Sequence, residues 1–529
     1  MAVFGIDLGT TYSCIAMVDD TGRPVIIKNL IGADTTPSVV FFETDTNVVV
    51  GQEAKNSARL YPDQVVSLIK RRMGEDVELD FHGERHTPVT VSALILRELA
   101  HAAGEVAHVP VEDVVITVPA YFGLKEREAT RAAGTAAGLT VLNVVPEPVA
   151  AALHYETIGG DRERTILVYD LGGGTFDTTV IRLSGQEIKV VCTDGDHHLG
   201  GADWDDRISA LLLRRFLEEH PGSAAEHDEE FLQELANGAE DVKRALSSLE
   251  KRPFNMRFGS QTCRIEIARD LFQSSTADLL ERTAEITGRT VDAAKAAGVT
   301  GFDAVLLVGG STRMPAVQEM LRSRFGFAPL LHDPDLAVAK GAALYALIES
   351  VRISVPDRDE ARLADAAAKA GVDTETVRAA AVKKVTAVVP RAFGVKVLDE
   401  SSPDGYFVDH LLRANTALPA TPPVQTYGTS VANQRAIAIE IWEQAGAVES
   451  ARLPDNEKIG EGVIDRLPPL PVNSPIEVTF QMDEMGTLRV HAVELRTGQE
   501  VAFELNITGL TPEKQQENIT TVAKYHVSA

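Results

Sequence analysis

The feature that most constrains the fold is an internal repeat of a strand, a glycine-rich turn that begins with aspartate, and a second strand. Residues 3–18 contain the turn D-L-G-T-T, and residues 165–183 contain the turn D-L-G-G-G-T. In each half a later strand, at residues 114–118 and 304–308, runs into a tight turn and a helix. Because these elements recur in the same order, chance similarity of two glycine turns is the weaker interpretation. Two such units facing each other would leave a central cleft.

The strands of this repeat are short and continuously apolar, which is typical of a mostly parallel sheet covered on both faces. In the segments between these strands, apolar residues recur with the period of a helix, for example at residues 125–137 and 314–325. The sequence therefore predicts an α/β fold over roughly the first 350 residues.

The remainder of the chain shows two other sequence patterns, one over residues 351–384 and one from residue 385 onward. Residues 351–384 are rich in alanine and charge, with Gly371 placed to end one helix and Asp373 or Thr374 placed to cap the next. This pattern predicts a helical hairpin or a semi-flexible connector, with a solvated spacer as the favoured role and a docking site for a partner as the alternative. From residue 385 apolar and polar positions alternate between turns, which predicts an antiparallel β-sandwich, and residues 511–525 begin a polar helix.

Composition excludes several classes of protein. A chain of 529 residues is too long for one hydrophobic core, and its formal net charge of −26 disfavours a nucleic-acid partner. No apolar run is long enough to span a membrane, and no signal peptide is recognisable. The three cysteines show neither metal-ligand spacing nor a disulfide framework, so we expect a cytoplasmic protein.

The two glycine turns are candidates for a phosphate site. Glycine lets backbone N–H groups approach phosphate oxygens, threonine hydroxyls add donors, and Asp7 can hold the waters of a magnesium ion. A single D-x-G turn can also be an ordinary hairpin, but two of them can grip phosphates from opposite sides. The candidate residues of the two turns are Asp7, Gly9, Thr10, Thr11, Asp170, Gly172, Gly173, Gly174, Thr175 and Asp177.

Residues that could hold the rest of a nucleotide are less evident. Glu240, Lys243, Arg244 and Ser247 share one face of a predicted helix, but spacing alone favours a solvated helix face. The segment G-G-S-T-R at residues 309–313 opens a helix, and helix N-termini suit anionic or polar ligands.

Six stretches, at residues 6–14, 115–122, 168–177, 195–203, 239–248 and 307–314, resemble the seventy-kilodalton heat-shock (DnaK-like) chaperones, and residues 390–510 resemble them more weakly. The resemblance implies a duplicated actin-like (ribonuclease H-like) ATPase domain over residues 1–350, followed by an antiparallel β-sandwich that binds peptides over residues 389–510. Residues 351–388 would be an insert and linker, and residues 511–529 the start of a truncated helix. The phosphate motifs alone would also fit actins and sugar kinases.

The resemblance also assigns roles. Catalysis would use Asp7, Lys70, Glu147, Asp170, Thr175 and Asp177, with Asp7 and Asp170 holding magnesium through water. Nucleotide contacts would come from Gly9, Thr10, Thr11, Tyr12, Gly172, Gly173, Gly174, Thr175, Gly200, Gly201, Glu240, Lys243, Arg244, Ser247, Gly309, Gly310, Ser311, Arg313 and Asp335. Pro119 and Arg127 would form a switch that reports nucleotide state. Peptide would be bound near Ser430, Val431 and Ile437.

These assignments imply an ATP-dependent chaperone that hydrolyses ATP slowly to ADP and phosphate, with Mg²⁺ and potassium at the site. Its partners would be unfolded or extended polypeptides, a J-domain co-chaperone and a nucleotide exchange factor, with no nucleic acid and no membrane. Two alternatives remain: a specialised relative that recruits one dedicated partner, and a small-molecule kinase or filament-forming ATPase of the same fold.

The sequence departs from the family at four places. The linker reads K-K-V-T-A-V at residues 383–388 instead of a leucine-rich run, which leaves the coupling between the domains open. The arch region 399–405 is polar and longer than usual, so we expect a different peptide preference. Only residues 511–525 remain of the helical lid, so bound peptide should leave quickly even in the ADP state. Asn143 stands where the family carries a basic residue for J-domain docking.

Overall fold

The computed structural model describes residues 2–159, 162–399, 401, 405–446, 448–484, 486–505 and 511–528. Its first part, the first lobe (residues 3–159), is built around a six-stranded sheet of order β11-β10-β1-β2-β3, with β4 paired to β2. The strands of this lobe are β1 (Val3–Asp7), β2 (Tyr12–Val18), β3 (Pro24–Ile27), β4 (Thr36–Pro37), β5 (Val40–Phe42), β6 (Asn47–Val50), β7 (Val65–Val66), β8 (Leu79–Phe81), β9 (Glu84–His86), β10 (Asp113–Val118) and β11 (Thr140–Pro146). Its helices are α1 (Gln52–Ser57), α2 (Pro88–Ala107), α3 (Leu124–Ala136) and α4 (Glu147–Gly159).

The second lobe (residues 164–336) repeats this plan around a sheet of order β18-β17-β12-β13-β14. Its strands are β12 (Arg164–Leu171), β13 (Phe176–Ser184), β14 (Glu187–Asp196), β15 (Lys251–Phe258), β16 (Gln261–Ala268), β17 (Ala304–Val308) and β18 (Pro329–Leu331). Its helices are α5 (Gly201–Glu219), α6 (Glu229–Leu246), α7 (Arg269–Ser275), α8 (Ala277–Ala296) and α9 (Pro315–Phe325), and α10 (Ala337–Ser354) follows it.

The two sheets share one pairing scheme. In each, the strand before the glycine turn pairs antiparallel with the strand after it, β1 with β2 and β12 with β13. Each of these first strands also pairs in parallel with the later strand of its own half, β10 or β17. Both glycine turns therefore lie at the same end of their sheets, and the helices α4 and α10 pack between the two halves.

The insert after the second lobe is a packed element. Helices α11 (Glu360–Ala370) and α12 (Thr374–Val382) form the expected hairpin, with Gly371 in the left-handed conformation between them. Leu363, Ala367 and Val377 are buried in the same core as α10. Of the two alternatives the structure has the hairpin, and the favoured role of a solvated spacer is wrong, because an apolar face anchors the hairpin.

The linker that follows is a strand. β19 (Lys384–Thr386) pairs in parallel with β14 and so becomes the sixth strand of the second sheet. Lys383 contributes an ion pair to Glu156 at 2.6 Å, and both side chains are largely buried. The polar linker therefore docks on the second lobe through backbone hydrogen bonds, without the leucines that the family uses.

The next segment, here called the β-domain (residues 389–505), contains two four-stranded antiparallel sheets of order β21-β20-β23-β24 and β22-β25-β26-β27. Both sheets contribute to one core, which includes Phe393, Ile441 and Phe480. The strands are β20 (Phe393–Leu398), β21 (Tyr406–Leu412), β22 (Gln425–Gly428), β23 (Ile437–Gln444), β24 (Asn456–Ile464), β25 (Pro475–Met482), β26 (Leu488–Glu494) and β27 (Glu500–Leu505).

The segment that begins at residue 511, which the resemblance predicted to be the start of a truncated lid helix, lies on the first lobe instead. Helix α13 (Pro512–Ala523) and strand β28 (His526–Ser528) lie on the first lobe, where β28 pairs with β6. The helix thus does not extend from the β-domain as a shortened lid.

Within the ranges that the structure describes, no helix has the length and apolarity needed to cross a bilayer.

Candidate functional site

A cleft of about 640 Å³ separates the two lobes, and both glycine turns open into it. This volume is in the usual range for a small-molecule site. The predicted residues that line the cleft are Asp7, Gly9, Thr10, Thr11, Tyr12, Lys70, Glu147, Asp170, Gly172, Gly173, Thr175, Glu240, Lys243, Arg244, Ser247, Gly309, Gly310, Ser311, Arg313 and Asp335.

The two glycine turns touch each other across the cleft. A Cβ atom built on Gly173 would lie 2.2 Å from Thr11 Oγ1, and one on Gly174 would lie 2.3 Å from Thr10 Cγ2. Only glycine fits at such distances, so the second turn presents bare backbone beside the threonines of the first. Gly200 and Gly201 pack directly behind this contact, since the Gly201 and Ala202 N–H groups donate to the carbonyls of Gly172 and Gly173.

Four carboxylates and one lysine meet at the base of the cleft. Lys70 Nζ lies 2.6 Å from Glu147 Oε1, and only 3% of the Lys70 side chain is exposed. Asp7, Asp170 and Asp177 surround this pair, and all three are electrostatically coupled to Glu147. Thr117 Oγ1 donates to Asp7 Oδ1 at 3.1 Å. Five of the six predicted catalytic residues therefore form one group, and the sixth, Thr175, lines the same cleft.

Burial raises the pKa of these aspartates. Desolvation, followed by the charge of Glu147, raises the pKa of Asp7 to about 7 and that of Asp177 to about 7. The same causes, with Asp177 added, raise the pKa of Asp170 well above its usual value. A net excess of buried negative charge is costly unless a cation compensates for it.

The donor set fits a hydrated divalent cation. Asp170 Oδ2 and Asp177 Oδ2 are buried without a hydrogen-bond partner in the part of the chain that the structure describes. Across the same residues, no three acidic, histidine or cysteine side chains are close enough to ligate one ion directly. A cation here would therefore be held through its waters, which is how magnesium is commonly bound.

The helix face that spacing alone assigned to solvent lines the cleft. Lys243 Nζ lies 2.6 Å from Asp205 Oδ2 and donates to the carbonyl of Gly201 at 2.8 Å. Across from it, Ser311 Oγ donates to the carbonyl of Gly172 at 2.9 Å. Charged and hydroxyl groups of α6 and of the 309–313 turn thus converge on the same cleft.

Two cations that sequence reasoning missed connect the lobes over the cleft. Lys55, in α1, forms an ion pair with Glu240 of α6 and lies 3.1 Å from the hydroxyl of Tyr12. Arg71 donates to the carbonyl of Gly174 at 2.9 Å and pairs with Asp203 at 2.5 Å. Arg71 follows Lys70 in a short run of basic residues, and that run could have indicated that Arg71 also has a functional position. Lys55 belongs to no pattern that spacing could reveal.

A comparison with models of protein families identifies the family of this chain. The model of a family described as Hsp70 protein matches residues 3–78 and 75–528. The chain belongs to the Hsp70 family. The resemblance seen in the sequence is therefore confirmed, and family membership implies ATP or ADP binding with Mg²⁺ and a chaperone-type ATPase.

The predicted Hsp70 switch residues lie where the first lobe meets the β-domain. Arg127 Nε donates to the carbonyl of Phe122 at 2.9 Å, and Arg127 also reaches the carbonyl of Ala120, so it holds the turn that begins at Pro119. Desolvation lowers the pKa of Arg127 to about 10. Tyr121, in the same turn, donates through its backbone N–H to Asp177 and through its hydroxyl to the carbonyl of Gly446.

The predicted peptide-binding residues differ in their exposure to solvent. Ile437 is 4% exposed and belongs to the core of the β-domain, whereas Val431 is 57% exposed in the loop before β23, next to Ser430. The predicted arch at 399–405 falls partly outside the described residues. Asn143, the predicted J-domain position, is buried and donates to the hydroxyl of Tyr345.

Proposed function

We propose that this Hsp70-family protein hydrolyses ATP in the cleft and uses the nucleotide state to control binding of extended apolar peptide segments by the β-domain. The observation that supports the proposal is the position of Tyr121. Its N–H donates to Asp177 in the carboxylate cluster at 3.0 Å, and its hydroxyl donates to Gly446 of the β-domain at 3.1 Å. One residue thus contacts both the proposed catalytic site and the proposed peptide-binding unit.

The proposed chemistry is attack of water on the γ-phosphate, in which positioning and charge stabilisation dominate. Lys70 would contact the γ-phosphate, and the hydroxyls of Thr10, Thr11 and Thr175 would donate to phosphate oxygens. Asp177 and Glu147 would orient the attacking water. Magnesium, with potassium as a second ion, would neutralise charge on the phosphates. Asp7 and Asp170 would hold the magnesium through its waters.

The adenosine of the nucleotide would lie on α6 and on the 309–313 turn. Glu240, Lys243, Arg244 and Ser247 would contact the ribose and base from one side, and Ser311 and Arg313 from the other. Lys243 is held in place by Asp205 at 2.6 Å, and Arg313 pairs with Asp335. These fixed side chains lower the conformational entropy that a ligand would otherwise have to remove.

The β-domain would bind an extended peptide by backbone hydrogen bonds and a side-chain pocket near Ser430, Val431 and Ile437. Because Ile437 is buried here, the pocket would open only when the loops on either side of it separate. We propose a cytoplasmic location, with a J-domain co-chaperone and a nucleotide exchange factor as partners. A J-domain would have to dock elsewhere than at the buried Asn143.

The test is the off-rate of a fluorescent apolar peptide, measured with ATP and with ADP alongside single-turnover hydrolysis. We expect release to be at least about tenfold faster with ATP, since nucleotide would shift the β-domain between two states. Hydrolysis without any nucleotide effect on release would contradict the proposed control of peptide binding. Absence of hydrolysis would contradict the proposed ATPase itself.

A further inference from the structure

The segment after the β-domain binds a groove on the first lobe. Helix α13 packs on α2 and α3, and β28 adds to the outer edge of the sheet β6-β5-β7 as a parallel strand. His526, Val527 and Ser528 pair with Asn47, Val48 and Val49. The His526 N–H also donates to the carbonyl of Thr46 at 2.8 Å. The segment 511–528 thus covers an edge strand that would otherwise offer unpaired backbone groups.

Tyr525 anchors this contact. Its side chain is 2% exposed and lies edge-on to Phe42, with ring centroids 5.8 Å apart. Its hydroxyl forms a 3.0 Å hydrogen bond with Nε2 of the buried His86. One turn earlier, Val522 is also buried, and its carbonyl accepts a hydrogen bond from Arg97 at 2.9 Å. An aromatic ring with a satisfied hydroxyl in a closed apolar pocket is the usual anchor of a specific interface.

We propose that the first lobe carries a strand-accepting groove and that residues 511–528 occupy it as a latch that holds the β-domain against the two lobes. Leu505 ends β27, and Thr511 caps α13, so six peptide units span at most about 22 Å. While residues 511–528 stay bound to the first lobe, the end of β27 cannot move more than about 22 Å away from the start of α13.

The other end of the β-domain is tied to the second lobe. There β19 pairs with β14, and Asn415 Oδ1 accepts a hydrogen bond from the Thr193 N–H at 2.8 Å. A latch at one end therefore raises the effective concentration of the β-domain at its interface with the lobes. This inference does not depend on the proposed hydrolysis or peptide binding, because it concerns only which surfaces stay together.

The first test is a cross-link in the full chain. Cysteines in an Asn47→Cys/His526→Cys variant would lie at paired positions of β6 and β28, and the three native cysteines are buried. We expect a disulfide within a single chain under mild oxidation. Adding Tyr525→Ala should lower its yield at least about tenfold. A cross-link between two chains would overturn the latch, because the groove would then be binding a second copy, and absence of any cross-link would also overturn it.

The second test asks whether the latch holds the β-domain. Hydrogen exchange is followed at residues 120–127 and 443–446, where the first lobe meets the β-domain. Tyr525→Ala should raise exchange there at least about tenfold, while the matched His526→Ala, whose side chain is exposed, should not. If Tyr525→Ala does not fold, the double-cysteine protein replaces it, with less exchange expected when oxidised than when reduced. Unchanged exchange at the interface in both experiments would overturn the proposal.

Discussion

At the residue scale, the ion pair between Lys70 and Glu147 is the most consequential contact. Both groups are nearly excluded from solvent, so each depends on the other to offset the loss of hydration. Three more buried carboxylates lie around the pair, which leaves the cluster one or more positive charges short. The cation of a bound metal nucleotide would supply positive charge beside these carboxylates, so the cluster suits a ligand-bound state better than it stabilises the empty protein.

The corresponding prediction concerns Lys70→Ala and Thr175→Ala. Each should retain nucleotide binding but slow single-turnover hydrolysis about 10²- to 10³-fold, because groups that position and stabilise charge act mainly in the transition state. Arg72→Ala is the matched control, since Arg72 follows in the same turn with a substantially exposed side chain. Hydrolysis at the parent rate in both variants would show that these residues were assigned the wrong role.

Sequence reasoning located residues that belong to a recognisable pattern. The two glycine turns identified Asp7, Asp170 and Thr175, because the repeat itself marks them. Lys55 and Asp205 could not be found in this way, because both act through contacts with α6 that exist only in the tertiary structure. The family resemblance corrected the interpretation of α6, for which periodicity alone cannot distinguish a ligand-binding face from a solvated one.

At the element scale, the repeat predicted the paired sheets, but the two short elements at 384–386 and 526–528 had no usable sequence signal. Three polar or β-branched residues are too few to show periodicity. Each becomes a strand only because an edge strand elsewhere offers hydrogen bonds, β14 in one case and β6 in the other. Such elements are set by tertiary context rather than by local propensity.

The groove that binds α13 and β28 should weaken in acid. Desolvation lowers the pKa of His86 to about 4, against an ordinary value near 6.5, so the folded groove binds the neutral ring. The stabilisation is present above pH 6.5 and is lost as the pH falls toward 4, because the unfolded or released state takes up the proton first. Exchange at residues 47–49, corrected for the intrinsic effect of pH, should therefore become faster as the pH falls from 6.5 to 4.

His86→Gln is the control for this prediction, because it keeps a hydrogen-bonding group near Tyr525 but does not titrate. Its exchange at residues 47–49, corrected for the intrinsic effect of pH, should be nearly constant over the same range. A parallel pH dependence in the parent and in His86→Gln would mean that another group causes the change.

At the scale of the whole molecule, a buried cluster of charge joins the first lobe to the β-domain. Arg391 lies 3.4 Å from Glu126 and stacks over Tyr121 at 4.9 Å. Burial opposes its charge, but Glu126 and Glu443 outweigh that effect and raise the pKa of Arg391. Desolvation raises the pKa of Glu443 to about 7. Arg391 therefore compensates for acidic groups that come from both sides of the interface.

Arg391→Ala should weaken the docking of the β-domain, because it removes a buried cation that compensates for both Glu126 and Glu443. Removal of one member of a buried pair typically costs about 3–5 kcal/mol. Fluorescence energy transfer between dyes on the first lobe and the β-domain should then fall. Arg413→Ala is the matched control, since that arginine is 74% exposed. Equal transfer in the two variants would show that Arg391 does not hold the interface.

The pairing of β28 with β6 also has a consequence for how the molecule forms. The outer sheet of the first lobe lacks its edge strand until residues 526–528 have been synthesised, about 480 residues after its neighbour. A contact that distant in sequence carries a large closure entropy and tends to form late. During translation the β6 edge of the first lobe would thus stay open until the β-domain and the segment after it have emerged from the ribosome.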